Sequence, residues 1–492
     1  MVRVSIPKDN VECQNWIDAQ WQSGTGETIS VECPLTGAQI GTVKSTTKSD
    51  LDACIASSEK AAKAWASVPM KERCAVMFRA REILLRDAEV ISHTVSSESG
   101  KTFAEAKAGL MKGIEVLEYA LSLQNLDSGG RMEVSSGVYC EYRREPLGVV
   151  AGITPFNFPA MVPMWMIPIA LTLGNAFIWK PSEKTPLTSK LMAEAFQEAG
   201  LPPGVLNIVQ GDRHTVESIL DAKGIAAAAF VGSTAVAQQV YVRGTASHKR
   251  VLALGGAKNH IVLMPDAEPE MAASGIVASF TGCAGQRCMA ASVLLAVGET
   301  DHILDKIKEK AASIKLVDDM GAIITRESME RLNTAVDAAE AEGVEIALDG
   351  RRPVAPEGYE EGFWFAPTLL DKCKHDSDVA KVELFGPVLT VIRCANLSEA
   401  LQIENSSEYG NAASIFTQSG GVAERFAAEA QAGMVGVNIG VPVPREPFSF
   451  GGIQASKFGQ GDITGAGSLD FWSNQKKLTT KWSSESARNW MS

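Results

Sequence analysis

Histidine is scarce and cysteine is unpatterned: the 492 residues include six histidines and nine cysteines, with no two at a metal-ligand spacing and no C-x-x-C pair. A zinc or haem site is therefore not expected. The odd number of scattered cysteines does not make a disulfide framework, and Met1 to Asn10 has no apolar signal core, so a reducing, cytoplasmic setting is the expectation. Positive charge is also in short supply. The net charge is -12 and the basic runs stop at pairs such as Arg143-Arg144, Arg351-Arg352 and Lys476-Lys477, which excludes a face that wraps a nucleic-acid backbone. No G-x-G-x-x-G occurs, so the usual dinucleotide phosphate turn is not supported. What remains is a large globular chain, 45% apolar, long enough for two or three cores and suited to small-molecule chemistry.

Charge is missing altogether from Pro146 to Trp179, 34 residues that run straight into Lys180-Pro-Ser-Glu183. The length would cross a bilayer, but Pro146, Pro155, Pro159, Pro163 and Pro168 and the polar Asn157, Thr172 and Asn175 interrupt it, so no membrane association is expected. Its order predicts a buried strand (Leu147 to Ile153), a polar turn, an apolar helix (Met161 to Leu173) and a second strand (Ala176 to Lys180). Strand-like runs continue at Val205 to Val209, Ala227 to Val231, Arg250 to Leu254 and His260 to Met264, most of them separated by helix candidates. That alternation implies an open, mostly parallel sheet. A second alternation runs from Met271 to about Val443, with strands at Val293 to Val297, Val388 to Arg393, Ala412 to Thr417 and Val435 to Ile439. Before both lie short strands (Trp16 to Trp21, Glu27 to Val31, Gln39 to Val43) and helices over Ser49 to Ser67, Lys71 to Ser97 and Thr102 to Leu123. The alternating segment Leu469 to Trp482 reads as one exposed strand.

Open parallel sheets bind ligands beyond the carboxyl ends of their strands, so the residues leaving each strand carry most weight. Ile153-Thr154-Pro-Phe156-Asn157 leaves the first and Lys180-Pro-Ser-Glu183 the second; Phe230-Val-Gly-Ser233 leaves a later one and opens a helix. Ser233 can serve a phosphate with its hydroxyl and the adjacent amides, or it can simply cap the helix. Lys180 and Glu183 can hydrogen-bond two ribose hydroxyls, or form a solvated pair. Cys288, in Gly282-Cys283-Ala-Gly285-Gln-Arg287-Cys288, sits in a loop loosened by glycines, where Arg287 would favour its thiolate. The alternative is that Cys283 and Cys288 are both small core residues. Glu383-Leu-Phe385-Gly-Pro387 places a carboxylate and a ring just before a strand.

Six motifs in one order resemble the aldehyde dehydrogenase superfamily over nearly the whole chain: Pro155-Phe-Asn157-Phe-Pro159, Trp179-Lys-Pro-Ser-Glu183, Phe230-Val-Gly-Ser233, Leu254-Gly-Gly256, Gly285-Gln-Arg-Cys288 and Glu383-x-Phe385-Gly-Pro387. The resemblance implies an α/β fold with a Rossmann-variant cofactor domain, an α/β catalytic domain and a β oligomerisation element. It implies Cys288 as nucleophile and Asn157 as oxyanion donor. It also implies NAD held by Thr154, Phe156, Lys180, Glu183, Ser233, Glu383 and Phe385. Segments 1–125 and 145–254 are expected in the cofactor domain, 255–445 in the catalytic domain, and 126–144 with 468–492 in the oligomerisation element of a homodimer or homotetramer.

Hydrolytic members of the superfamily have a glutamate in Leu-Glu-Leu-Gly-Gly-Lys, whereas this chain has Ala253 in Leu252-Ala253-Leu254-Gly-Gly-Ala257-Lys-Asn-His260. That segment, with Arg287-Cys288-Met-Ala, Val162-Pro-Met-Trp165 and Gly440-Val-Pro-Val-Pro444, is similar to the methylmalonate (malonate) semialdehyde dehydrogenase branch, whose members pass the acyl group to coenzyme A. The branch pairs the arginine before the nucleophile, here Arg287, with a second arginine for the substrate carboxylate. Lys112 stands at that second position, and Arg445 in Pro444-Arg-Glu-Pro-Phe is a further candidate to face substrate. The implied function is NAD-dependent oxidation of an anionic semialdehyde with transfer to coenzyme A. A hydrolytic dehydrogenase of another anionic aldehyde and a catalytically silent homologue remain the alternatives.

Overall fold

The strand Val149–Ile153 is buried at every position and is the axis of an eight-stranded sheet in a computed structural model that describes residues 4–7, 10–127 and 129–482. Ala176–Lys180 and Leu206–Ile208 follow on one side of it, Ala227–Val231 and Arg250–Leu254 on the other, all five parallel. The chain winds outward one way, returns, and winds the other way. A topological switch point therefore lies between Val149–Ile153 and Ala227–Val231. Because helices cover both faces, these strands carry no polar alternation, which is why each reads as a short apolar run. The connecting helix Met161–Thr172 is buried from Val162 to Thr172 and is apolar all round for the same reason.

Seven strands form the second sheet, six of them parallel in the order Thr368–Asp371, Val388–Cys394, Ala291–Val297, Asn259–Leu263, Ala412–Phe416 and Met434–Val437, with Glu345–Leu348 antiparallel at the edge. Alternate side chains feed two cores: Val262, Val293, Leu295 and Ile392 pack on one face, Ile261, Leu263, Leu294 and Val391 on the other. A separate three-stranded sheet is built from the hairpin Gly130–Ser135 and Val138–Pro146, with Ser473–Lys481 antiparallel to the latter over nine residue pairs. It lies in the segments expected to form the β element except at Glu145 and Pro146, which run past the expected bound at 144; residues 128 and 483–492 of those segments lie outside the described residues.

Four local expectations are corrected. The segment Leu469 to Trp482 is not one strand: Gly465–Trp472 is a helix and the strand begins at Ser473. Phe471 and Trp472 explain this, since neighbours in a strand point to opposite faces, whereas here both are buried, at 2% and 0% exposure. Leaving either ring in water would forgo about 1.5 to 3 kcal/mol. Lys71 to Ser97 is two helices, Met70–Arg86 and Ala88–Ser99, broken at Asp87, whose carboxylate pairs with Arg86 at 2.7 Å. Trp16 to Trp21 is a hairpin that turns through Asp18 and Ala19, both at positive φ, and packs the two tryptophans with ring centroids 4.5 Å apart and planes tilted by 52°. The first long helix, Lys48–Ala66, is capped by Thr47 in a reciprocal box with Asp50, two residues before the Ser49 at which the sequence reading starts the helix. Among the described residues no helix is long and apolar enough to cross a membrane.

Candidate active site

At the switch point the sheet opens into a cavity of about 560 Å³. Its wall includes Thr154, Phe156 and Asn157 after the first strand, Lys180 and Glu183 after the second, and Ser233 at the start of the helix Thr234–Ala246. Cys288, Glu383 and Phe385 face them from the segments around the second sheet. Nine expected site residues, drawn from strand ends more than two hundred positions apart, thus share one wall. A second cavity of about 410 Å³ is lined by Lys112, Phe158, Trp165, Cys283, Arg287, Cys288 and Phe450 among others. Cys288 belongs to both, so the thiol sits where the two spaces meet.

The thiol is held by its backbone. Cys283, Ala284 and Gly285 run consecutively at positive φ (54°, 52° and 68°), a left-handed path that costs the two non-glycine residues strain. Gly285 cannot be replaced cheaply, because a Cβ there would lie 2.2 Å from the Gly386 carbonyl, which is how the Glu383 to Pro387 segment comes against the cysteine loop. The Cys288 carbonyl accepts hydrogen bonds from the side-chain amides of Asn259 and Asn411, each at 2.8 Å. Neither asparagine was anticipated as part of the site. Asn259 lay inside the Gly-Ala-Lys-Asn-His segment and could have been suspected; Asn411 carried no local signal.

Asn157 is buried, and its Nδ2 donates to the Gln286 carbonyl at 2.9 Å, which fixes the amide two residues from Cys288 and leaves one N–H open. Trp179 Nε1 donates to Thr154 Oγ1 at 2.8 Å. Lys180 and Glu183 pair at 2.9 Å; burial raises the Glu183 carboxyl, but the neighbouring ammonium outweighs it and holds the group below the usual carboxylate range. Ser233 occupies the N-cap position yet makes no side-chain cap bond, so its hydroxyl is available to a ligand. Phe385, at φ 55°, meets Phe156 edge-on at 5.8 Å.

Electrostatics correct one expectation. Arg287 does not bring Cys288 to a thiolate: burial pushes the thiol up to about 12, the Glu383 carboxylate adds to this, and Arg287 opposes it only in part. The guanidinium points elsewhere, with Nη2 donating to the carbonyls of Ala278 (2.5 Å) and Ser279 (2.8 Å). Burial also raises the carboxyl of Glu383, whose Oε1 accepts from the Ala257 amide at 3.0 Å. Ala253 is fully buried beside Ile153 and Phe230. The carboxylates that do reach the cavities are Glu183, Asp212 and Glu383 in the first and Glu105 in the second. Arg445 is exposed and lines neither. Among the described residues no three His, Cys, Asp or Glu side chains cluster to hold a metal.

The model of the aldehyde dehydrogenase family matches residues 21–478. The chain belongs to this family. Each of the six motifs that carried the resemblance places at least one residue on the wall of the larger cavity. Malonate-semialdehyde dehydrogenase 1 of Geobacillus thermodenitrificans is 38% identical over 478 residues, 95% of this chain and 98% of the relative. The malonate-semialdehyde dehydrogenase of Pseudomonas aeruginosa is 40% identical over 475 residues, 95% of each chain. Among solved structures, one from Sinorhizobium meliloti described as a methylmalonate-semialdehyde dehydrogenase complexed with NAD superposes with TM-score 0.95 at 38% identity, covering 97% of this chain and 99% of the other. The methylmalonate-semialdehyde dehydrogenase of Oceanimonas doudoroffii matches at TM-score 0.95 and 37% identity, covering 97% and 100%. The α/β architecture is that of the family.

Proposed function

We propose that this aldehyde dehydrogenase oxidises a small carboxylate-bearing aldehyde, such as malonate or methylmalonate semialdehyde, with NAD, and passes the acyl group to coenzyme A. The observation that carries the reading is the position of Cys288 at the junction of the two cavities. The larger one suits NAD: an uncapped helix N-terminus with a free Ser233 hydroxyl for the pyrophosphate, the Lys180–Glu183 pair for a ribose, and Glu383 with Phe385 at the end nearer the thiol. When bound, NAD supplies the hydride acceptor. The thiolate of Cys288, formed as the S–H proton leaves to solvent, adds to the aldehyde carbon, and the free N–H of Asn157 meets the developing oxyanion of the thiohemiacetal. Loss of hydride leaves a thioacyl group on Cys288. Coenzyme A takes it by thiol exchange, and a β-carboxylate can leave as carbon dioxide before transfer.

Ala253 supports coenzyme A as acceptor over water. A thiol of pKa about 8.5 presents far more nucleophilic anion at neutral pH than water at about 15.7, so it needs no carboxylate base. Given NAD and semialdehyde alone, the enzyme should form about one NADH per site and stall; coenzyme A should restore steady turnover and yield an acyl thioester. Steady turnover to the free acid without coenzyme A sinks this reading in favour of hydrolysis.

Glu183 supports NAD over NADP, because a carboxylate kept ionised beside the ribose repels a 2′-phosphate. If that repulsion is about 1 to 2 kcal/mol, Glu183→Gln narrows the preference by roughly five- to thirtyfold in kcat/KM. A wild-type enzyme equally efficient with both cofactors means that Glu183 does not face the ribose.

Assembly with a second copy is read from the three-stranded sheet, which leaves Met132, Val134 and Leu478 more than half exposed. All nine cysteines are free, which suits a reducing cytoplasm.

A further inference from the structure

Two cations line the smaller cavity, and they are not in the same state. Arg287 keeps its Nε buried and without a partner. Lys112, on the helix Phe103–Leu126, is already engaged: its Nζ lies 3.0 Å from Glu115 Oε2 one turn along the helix and 3.4 Å from Glu446 Oε2. The two carboxylates differ in setting. The Glu115 side chain is 40% exposed, as on an ordinary helix surface, whereas that of Glu446 is 6% exposed. Glu446 comes from the segment that supplies Val441, Val443 and Phe450 to the cavity wall; it does not line the wall itself, and it reaches Lys112 from behind that wall segment and not from the same helix. A nearly buried carboxylate is costly unless paired, and its hydrogen-bond partner is Lys112.

We propose that Glu446 determines substrate specificity by acting as an internal counter-ion to Lys112, leaving Arg287, bonded only to backbone carbonyls, as the cavity's one cation without a carboxylate partner among the described residues, so that the site takes aldehydes with a single carboxylate and disfavours an anion that needs both cations. The inference rests on reading the smaller cavity as the aldehyde side of Cys288. A substrate carboxylate approaching Lys112 has to displace Glu446 or lie beside it, and like charges at that distance repel. Lysine, a point charge on a flexible stem, is readily shared among carboxylates, whereas an arginine fork would hold one of them in two parallel bonds.

The test compares kcat/KM for malonate semialdehyde and for propanal, neutral and of the same carbon count, with NAD and coenzyme A. E446Q, close in shape and uncharged, should raise the anionic-to-neutral ratio about tenfold, chiefly through a lower KM for the anion. The rise should vanish when K112M is added, and E446D should keep the wild-type ratio. The wild-type enzyme gives a readout that needs no variant: malonate should inhibit no more than about threefold better than propanoate. An unchanged ratio in an active E446Q enzyme, a rise that survives K112M, or malonate inhibiting tenfold or more better than propanoate overturns the inference. Failure of the wild type to oxidise either aldehyde overturns the proposed function, and this inference with it.

Discussion

Cys288→Ala lowers NADH formation by at least about a thousandfold, because the covalent step has no substitute nucleophile, while NAD affinity measured by fluorescence or calorimetry stays within about twofold. Cys283→Ala is the informative comparison. Cys283 also lines the smaller cavity, but it is buried, with its sulfur 3.3 Å from Lys101 Nζ, and lies off the larger cavity altogether. Its loss should be mild. An inactive Cys283→Ala beside an active Cys288→Ala would reverse the assignment. The pH dependence follows from the environment of the thiol. With burial and Glu383 pushing Cys288 up to about 12, the reactive thiolate is a minor species at neutral pH. Alkylation of the cofactor-free enzyme by iodoacetamide should therefore be slow at pH 7 and rise about tenfold per pH unit up to roughly pH 11. A plateau below pH 9 would show that the thiolate is already formed.

Asn157→Ala is expected to lower kcat by about 10²- to 10³-fold, the usual cost of losing one oxyanion donor, with a smaller effect on KM. The amide is oriented before substrate arrives, since one N–H is committed to the Gln286 carbonyl and the side chain is buried. Asn157→Asp removes the donor and adds a negative charge beside a developing negative charge, so it should be at least as damaging. Single-turnover NADH formation measures both. A kcat within threefold of wild type for Asn157→Ala would place the oxyanion elsewhere.

Much of this site could be read before any coordinates, because the residues that leave parallel strands are local in sequence and the sheet gathers them. Thr154, Lys180 and Ser233 are examples: each follows a buried apolar run, and strand order alone brings them together. What sequence could not supply was long-range pairing. Asn411 touches the Cys288 carbonyl from 123 positions away, and no composition or period marks it. Arg287 misled for a related reason. Proximity in sequence suggested a thiolate-stabilising charge, but the guanidinium turns to the end of the helix Pro269–Thr281, and burial decides the state of the thiol. Trp472 misled by pattern, because apolar and polar residues alternate by chance in a stretch where two adjacent rings need the same core.

The antiparallel match between Val138–Pro146 and Ser473–Lys481 has a consequence for how the chain is made. Lys476 and Glu145, bonded at 2.8 Å, are 331 positions apart. Closing so long a loop costs roughly 3 kcal/mol more in entropy than closing a ten-residue hairpin. On the ribosome, the hairpin Gly130–Ser135 and Val138–Pro146 must therefore wait, with one edge unpaired, until more than three hundred further residues have emerged. An unpaired edge invites other nascent chains. The run Glu141-Tyr142-Arg143-Arg144-Glu145 puts four charges on that waiting strand, a distribution that discourages edge-to-edge aggregation until its own partner arrives.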